Sequence, residues 1–166
     1  MKMIKSTSST SERWDKRFLG LCDHIAGWSE ERGRRVGAVI VGDGNVILST
    51  GYNGLPRGIS GDIEDRHNRV TGEKYFWFEH AERNAIYNAA RTGVPLAGSA
   101  IYSNLFPCAD CMRAIIQSGI STLITYERPA NEVNFAASME VSIRLIREAG
   151  LALRLVPLTR PSSTPR

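Results

Sequence analysis

The sequence predicts an α/β fold with a central mixed sheet of five strands and helices on both faces. Two observations support this prediction. From residue 79 onward, helix and strand patterns alternate as α-β-α-β-α-β, an order that produces crossover units and neighbouring parallel strands. Before that point, two strand patterns separated by the turn-forming segment 42–45 predict a β-hairpin, whose strands are antiparallel.

Each element follows from a local pattern. Helices are predicted where apolar residues recur three or four positions apart, and three of them are followed by glycine within two residues. Strands are predicted where short apolar runs lie between turn signals. The first predicted helix begins at residue 12, and the other three span 79–91, 108–118 and 132–149. The predicted strands span 36–41, 46–51, 100–104, 122–126 and 151–156.

The first helix and the long loop after the hairpin call for separate comment. Ser11 is placed to cap a helix that begins at Glu12. Cys22 lies in the apolar stripe of this helix, which predicts a core residue and not a metal ligand. Residues 59–74 form a polar loop, and a loop of this length inside a compact domain is typically functional or partly disordered.

Length and composition predict one domain in a reducing compartment. The 166 residues divide into a domain at 12–157 and flexible ends at 1–11 and 158–166. No apolar run approaches the roughly 20 residues that span a membrane, and the N-terminus lacks the apolar segment of a secretory signal. Three cysteines, two of them in a C-x-x-C, indicate metal or thiol chemistry and not a disulfide framework. We therefore expect a cytoplasmic protein.

The basic character of the chain is concentrated at its ends. The net charge is +4, but residues 1–17 hold five basic and two acidic residues, and residues 160–166 hold two basic residues. The body between them is close to neutral. A nucleic-acid partner is therefore not expected, because such a partner requires a basic surface on the folded domain.

Two short segments predict a zinc site with an acid/base group beside it. His80 offers a ring nitrogen, and Cys108 and Cys111 offer two sulfurs on one turn of a helix. Three such ligands leave the fourth position of the metal for water, whose pKa a catalytic zinc lowers to about 7. Glu82, two residues after His80, can reach that water without being a ligand, and we expect it to carry protons.

Other interpretations exist for each residue alone. A single histidine such as His80 is more often hydrogen-bonded to neighbouring groups or exposed at the surface than bound to a metal. Glu82 alone would be an ordinary glutamate in the first turn of a helix. Cys108 and Cys111 fit a redox pair or half of a structural zinc site. His67 is the best further candidate ligand, but a fourth protein ligand would close the site and leave Glu82 without a role.

The arrangement H-x-E followed by P-C-x-x-C is typical of zinc-dependent nucleobase deaminases. Over residues 12–156 the sequence resembles the cytidine and deoxycytidylate deaminase superfamily, and is most similar to its deoxycytidylate (dCMP) branch. The resemblance implies a three-layer α-β-α, cytidine-deaminase-like fold. The segments that carry it are Val36–Val41, Gly51–Gly58, Lys74-Tyr75, His80-Ala-Glu82, Leu105–Cys111 and Ile115–Ile120.

The resemblance also implies substrate-binding residues. In that family the residue matching Asn53 helps to hold the sugar or pyrimidine, and the backbone at Ala81 meets the edge of the base. Phe106 is placed to stack on the base. A monophosphate needs a cation, for which Arg57 is our first candidate. Alternative interpretations are an ordinary turn residue for Asn53 and, in place of Arg57, the cations Lys74, Arg83 and Arg113.

The function implied is hydrolysis of dCMP to dUMP and ammonia, with one zinc ion per chain. One zinc is expected because Arg34, Arg35 and Ile59 stand where some relatives carry cysteines for a second, structural zinc. The alternatives are a deaminase of free cytidine, deoxycytidine or a modified nucleotide, and then a deaminase of tRNA or single strands. The resemblance further implies a homo-oligomer, commonly a hexamer, and dCTP and dTTP as effectors, although loop 59–74 departs from the usual family sequence.

Overall fold

The fold is seen in a computed structural model, which describes residues 9–127 and 136–158. Helices and strands alternate through most of the described chain. The helices are α1 (Ser9–Ala26), α2 (Lys74–Trp77), α3 (Ala81–Thr92), α4 (Ala109–Gln117) and α5 (Ala136–Ala149). The strands are β1 (Gly37–Val41), β2 (Ile47–Tyr52), β3 (Ala100–Ser103), β4 (Thr122–Tyr126) and β5 (Ala152–Val156).

The five strands form one mixed sheet in the order β2-β1-β3-β4-β5. Strand β1 pairs antiparallel with both β2 and β3, whereas β3, β4 and β5 are parallel. The predicted hairpin and the predicted parallel crossovers are therefore both confirmed. The parallel strands bring their carboxyl ends to one edge of the sheet, and the segment between β3 and α4 leaves from that edge.

Helices cover both faces of the sheet, which confirms the predicted α/β class. On one face, α1 packs Phe18, Leu19, Cys22 and Ile25 against β1, β3 and β4. On the other face, α3, α4 and α5 pack on a larger core. Most of its buried residues come from these helices and from β1, β3, β4 and β5. Cys22 is fully buried in the first of these cores, as predicted.

Some predicted boundaries differ from the structure. Helix α1 already includes Ser9, so the prediction that Ser11 caps a helix starting at Glu12 is wrong. The short helix α2 was not predicted. Gly93 ends α3 with φ 70°, a left-handed conformation that glycine adopts without steric strain, as the pattern indicated. Residues 1–8 and 159–166 of the predicted flexible ends, and 132–135 of the last predicted helix, lie outside the described residues.

No helix in the described ranges, 9–127 and 136–158, combines the length and apolar character that crossing a membrane requires.

Strand β2 and helix α3 approach too closely for any side chain at Gly51. A Cβ there would lie less than 3.0 Å from the Ala85 nitrogen and the Ala81 carbonyl oxygen, both backbone atoms. We expect Gly51→Ala to lower the free energy of unfolding by about 1–3 kcal/mol or more, because a rigid backbone must move. The displaced helix begins beside His80, so we also expect weaker zinc binding. Urea unfolding and zinc titration measure the two effects.

Gly20→Ala is the matched control for this substitution. Gly20 lies inside α1, and a Cβ there would meet nothing within 4 Å. We expect a gain in stability of about 0.5–1 kcal/mol from the better helix former, with zinc binding unchanged. Equal unfolding midpoints for the two variants would refute the close-packing argument.

Candidate active site and metal centre

The predicted zinc ligands lie at the N-terminal ends of two helices, which the fold brings together. His80 is the residue before α3, and Cys108 is the residue before α4. Cys111 lies in the first turn of α4 and is fully buried. Their ligand atoms all lie within 4.8 Å of one another, and within the described chain they are the one such group of His, Cys, Asp and Glu.

The distances within this group suit a tetrahedral zinc ion. His80 Nδ1 lies 3.4 Å from the sulfur of Cys108 and 3.4 Å from that of Cys111. Bond lengths of about 2.0–2.1 Å to nitrogen and 2.3 Å to sulfur place such atoms about 3.5 Å apart in a tetrahedron. The donor set and its spacing therefore fit zinc, and they leave room for one further ligand.

Backbone pairing places His80 next to the loop that follows β2. Glu79 and Gly54 form an isolated antiparallel bridge, with N–H···O distances of 2.8 and 3.0 Å in the two directions. This bridge joins the segment before α3 to the residue after Asn53. The predicted metal ligand and the predicted substrate-binding amide are thus held on adjoining backbone segments.

Helix α5 holds the turn that carries the first sulfur. The Ser138 hydroxyl accepts a hydrogen bond from the Ala109 N–H at 2.9 Å, which satisfies one of the free N–H groups at the start of α4. The buried Ser142 hydroxyl donates to the Pro107 carbonyl at 3.0 Å. These two contacts fix the backbone on both sides of Cys108.

The two thiols differ in acidity. Hydrogen bonding from Cys111, together with His80, lowers the pKa of Cys108 to about 4. The same hydrogen bond, reinforced by burial, raises the pKa of Cys111 well above its usual range. Hydrogen bonding to Cys108 raises the pKa of His80. The lowered pKa of Cys108 favours its thiolate, the form that binds zinc.

Glu82 lies in the first turn of α3 and is only 3% exposed. The Ser103 hydroxyl, at the end of β3, donates a hydrogen bond to its Oε1 at 3.3 Å. Burial raises the pKa of Glu82, although the charge of His80 opposes this shift. A buried carboxyl with a raised pKa beside a metal site is suited to accept and return protons.

A cavity of about 850 Å³, counting the space open to solvent at its mouth, adjoins this group. Its lining combines predicted site residues with others that were not predicted. The predicted ones are Asn53, His80, Ala81, Glu82, Phe106 and Cys108, with Lys74 as an alternative candidate. The others are Glu31, Arg34, Val36, Arg69, Tyr75, Phe78, Glu79, Leu105 and Met139.

Asn53 lines the cavity but also holds its wall together. Its Oδ1 accepts the N–H of Val36 at 2.7 Å, and its Nδ2 donates to the carbonyl of Arg34 at 3.0 Å. An amide has two N–H donors, so one donor is left after these contacts. Asn53 therefore combines the structural role of a turn residue with a donor that can meet a ligand.

The structure does not bring Arg57 to this cavity. Arg57 lines a separate pocket and donates to Asn88 Oδ1 at 2.6 Å. Of its rivals, Arg83 pairs with Glu79 at 2.5 Å, and Arg113 pairs with Asp110 at the surface. Lys74 alone among the four lines the cavity that adjoins the metal group.

His67, the other candidate ligand, lies apart from the metal group. Its Nε2 lies 2.9 Å from the carbonyl oxygen of Gly61, and its ring packs edge-on against Phe78 at a centroid distance of 5.2 Å. Cys22, the third cysteine, bonds weakly to the Tyr102 carbonyl in the opposite core. Neither residue closes the fourth position of the metal.

Sequence reasoning missed Glu31 and Arg69, an ion pair in the cavity wall. Glu31 receives hydrogen bonds from both Lys74 and Arg69, which lie about 40 residues later in the chain. The signal present in the sequence was the run of charged residues in loop 59–74. Its charge pattern did not reveal that the loop folds back against residues 29–34.

Comparison with known proteins identifies the family. Residues 12–127 match the family described as the cytidine and deoxycytidylate deaminase zinc-binding region. An uncharacterized deaminase of Aliivibrio fischeri is 34% identical over 88% of this chain and 95% of its own length. Human deoxycytidylate deaminase is 38% identical over 67% of this chain, which spans 63% of the human protein.

A solved structure agrees with the fold. The dCMP deaminase of the cyanophage S-TIM5, in complex with dCMP and dUMP, superposes with a TM-score of 0.70 over 87% of this chain and 97% of its own, at 21% identity. It shares the three-layer fold with a five-stranded mixed sheet that the sequence predicted. With the family match across both halves of the metal group, these likenesses establish that the chain belongs to the cytidine and deoxycytidylate deaminase family, whose zinc-binding region it carries.

Proposed function

We propose that the protein catalyses the hydrolytic deamination of dCMP to dUMP and ammonia, with one zinc ion per chain. The observation that carries this proposal is the cavity that joins the His80, Cys108 and Cys111 group to a wall of cationic side chains. The human relative and the cyanophage protein, both named dCMP deaminases, support the choice of nucleotide.

The metal would be held by His80 Nδ1 and the two sulfurs of Cys108 and Cys111. When bound there, zinc supplies a Lewis-acid centre that lowers the pKa of a coordinated water to about 7. The side chains then have three tasks. They carry protons, orient the pyrimidine, and bind the phosphate.

Glu82 is the proton carrier of the proposal. Its carboxylate takes a proton as water attacks the carbon that bears the exocyclic amine, and it delivers that proton to the neighbouring ring nitrogen. A second proton passes by the same carboxyl group to the departing amine, which leaves as ammonia. The hydrogen bond from Ser103 keeps the carboxyl group oriented towards the cavity.

The base would be oriented by backbone and aromatic groups. Ala81 is the first residue of α3, so its N–H has no acceptor within the helix and is available to the edge of a base. The remaining N–H of Asn53 supplies a second donor from the opposite loop. Phe106 is buried in the lining and offers a ring face on which the pyrimidine can stack.

The phosphate would bind at the cationic wall and not at Arg57. Arg34, Arg69 and Lys74 all line the cavity, and Lys74 is nearly buried within it. Ammonium and guanidinium groups bind phosphate through charge-assisted hydrogen bonds. Lys74 and Arg69 pair with Glu31 but carry more donors than that carboxylate uses, so a phosphate can also bind them, and the wall favours the nucleotide over deoxycytidine.

Burial lowers the pKa of Lys74 to about 8, which predicts a pH dependence of phosphate binding. The charged groups around it are Glu31, Arg69, Arg34 and Glu79. Above pH 8 the amine is increasingly neutral, so we expect the KM for dCMP to rise about tenfold by pH 9, relative to that for deoxycytidine. Lys74→Arg should remove this rise, because a guanidinium stays charged throughout. Steady-state kinetics at pH 7–9 test it.

The same rise for deoxycytidine, or its persistence in Lys74→Arg, would show that another group is responsible.

A substrate panel tests the proposed function. Zinc-loaded protein is assayed for ammonia release from dCMP, dCTP, deoxycytidine and cytidine. We expect dCMP to be the preferred substrate. Equal or better turnover of the free nucleosides would replace the proposal with its alternative, a nucleoside deaminase.

The oligomeric state, the response to dCTP and dTTP, and a cytoplasmic location belong to the same proposal. The first two derive from the family resemblance and the location from the composition and cysteine usage, and each stays a prediction. Sedimentation of the full chain, and kinetics with dCTP and dTTP added, are the measurements that address the first two.

A further inference from the structure

A buried carboxylate lies among the cations of the cavity wall. Glu31 is only 3% exposed. Its Oε2 accepts hydrogen bonds from Lys74 Nζ and from Arg69 Nη2, the latter at 3.1 Å. Its Oε1 accepts the N–H of Gly33 at 2.9 Å. Because a buried charge is costly unless it is paired, Glu31 and these cations form one unit.

This carboxylate is fixed in position. The Glu31 N–H donates to the Ser29 hydroxyl at 3.2 Å, and that hydroxyl donates to the Asn53 carbonyl at 2.6 Å. Glu31 is thus anchored through both its backbone and its side chain to the loop that lines the cavity. It cannot turn away from an entering ligand without breaking these bonds, so a phosphate on Lys74 and Arg69 lies beside it.

A single phosphate group can share these cations with Glu31. An ammonium has three donors and a guanidinium has five, so each cation has donors left after it binds the carboxylate. A second or third phosphate group would add negative charge next to a fixed carboxylate. Like charges repel most strongly where water is partly excluded, as it is on this wall.

We propose that Glu31 is a specificity-determining residue, which restricts the cavity to nucleoside monophosphates and disfavours di- and triphosphates. The inference rests on the proposed function and adds a negative determinant to it. Selection by repulsion complements the attraction that the cations provide. The alternative role, in which Glu31 only orients Lys74, gives no reason for its removal to favour longer phosphate chains.

The test compares the binding of dUMP and dUTP to zinc-loaded protein by calorimetry, with each ligand competed against the other so that one shared site is measured. Wild-type protein should bind dUMP more tightly. Glu31→Gln keeps the shape of the side chain and removes its charge, and should improve dUTP binding at least about tenfold relative to dUMP. An unchanged ratio in the folded variant overturns the proposal.

The matched control is Glu64→Gln. Glu64 pairs with Arg32 at 2.5 Å on the exposed surface, and its side chain is 76% accessible. The same loss of one negative charge, made outside the cavity, should leave the dUMP to dUTP ratio unchanged. A shift as large as that of Glu31→Gln would assign the effect to net charge and overturn a local role.

A double variant keeps the proposal testable if the Glu31→Gln protein does not fold because buried Lys74 has lost its ion-pair partner. Glu31→Gln with Lys74→Met removes one charge of each sign, so the balance of the wall is retained. Both ligands should bind more weakly, and the dUMP to dUTP ratio should still shift towards dUTP by comparison with Lys74→Met alone. An equal ratio in Lys74→Met and in the double variant would overturn the role of Glu31.

These measurements need no turnover. Tight, selective dUMP binding without ammonia release from any cytosine nucleotide would refute the proposed function and leave the role of Glu31 intact. Deamination of dCMP with an unchanged ratio in Glu31→Gln would do the reverse.

Discussion

Glu82→Gln is expected to lower the kcat for dCMP by about 10²–10⁴-fold while zinc content stays at the wild-type level. Glutamine matches the shape of glutamate, and its carbonyl can still accept the hydrogen bond from Ser103. Its amide cannot take up and return a proton. Because the carboxyl group is buried, loss of its charge should not weaken the fold. Ammonia release, metal analysis and thermal unfolding measure the three expectations.

Glu73→Gln is the control for this variant. Glu73 is exposed and accepts a hydrogen bond from the indole N–H of Trp77 at 2.8 Å, away from the metal group. The kcat of the Glu73→Gln protein for dCMP should equal that of the wild type. A zinc-loaded, folded Glu82→Gln protein that keeps full turnover would remove the proton carrier from the mechanism.

Cys111→Ser is expected to weaken zinc binding by at least about a hundredfold, and to abolish turnover in proportion to the zinc that is lost. Partners outside the ligand set already alter metal affinity 10–100-fold in such sites, so loss of a ligand should cost at least as much. Cys111 is buried and lies 3.4 Å from His80 Nδ1, so no solvent group can take its place. Competition against a chromophoric zinc chelator gives the affinity.

Cys22→Ser provides the matched control, since the same substitution is made in the opposite core. The Cys22 sulfur donates to the Tyr102 carbonyl at 3.4 Å, a bond that a serine hydroxyl can also make. Zinc affinity should be unchanged. If both variants bind zinc equally well, Cys111 is not a ligand.

The metal group could be predicted because its information is local in sequence. His80 and Glu82 lie in one segment of three residues, and Cys108 and Cys111 lie in one segment of four. Each segment is at the start of a helix. A helix start presents such side chains in a nearly fixed relation. The parallel crossovers then bring the two starts together, as the alternation of helices and strands indicated.

The cavity wall could not be predicted because its contacts join residues far apart in the sequence, and no periodic sequence pattern marks them. Glu31 meets Lys74 across 43 positions, and Ser142 meets Pro107 across 35. Arg57, our first candidate for the phosphate, lies within the loop that the bridge between Gly54 and Glu79 closes, and it lines a different pocket.

The side chains that support the site were missed for a related reason. Ser103, Ser138 and Ser142 are common residues in unremarkable positions of the sequence. Each acquires its role only from the partner that the fold supplies, which is a carboxylate, a helix start or a carbonyl. No pattern within a single element carries that information.

The most direct test is to measure zinc per chain and ammonia per dCMP consumed in one preparation of the full-length protein. The account predicts one zinc ion per chain, held until a chelator removes it, with equal amounts of dUMP and ammonia formed only while it is bound. Unchanged ammonia release after complete removal of the metal, or a fully loaded protein that leaves every cytosine nucleotide intact, would contradict it.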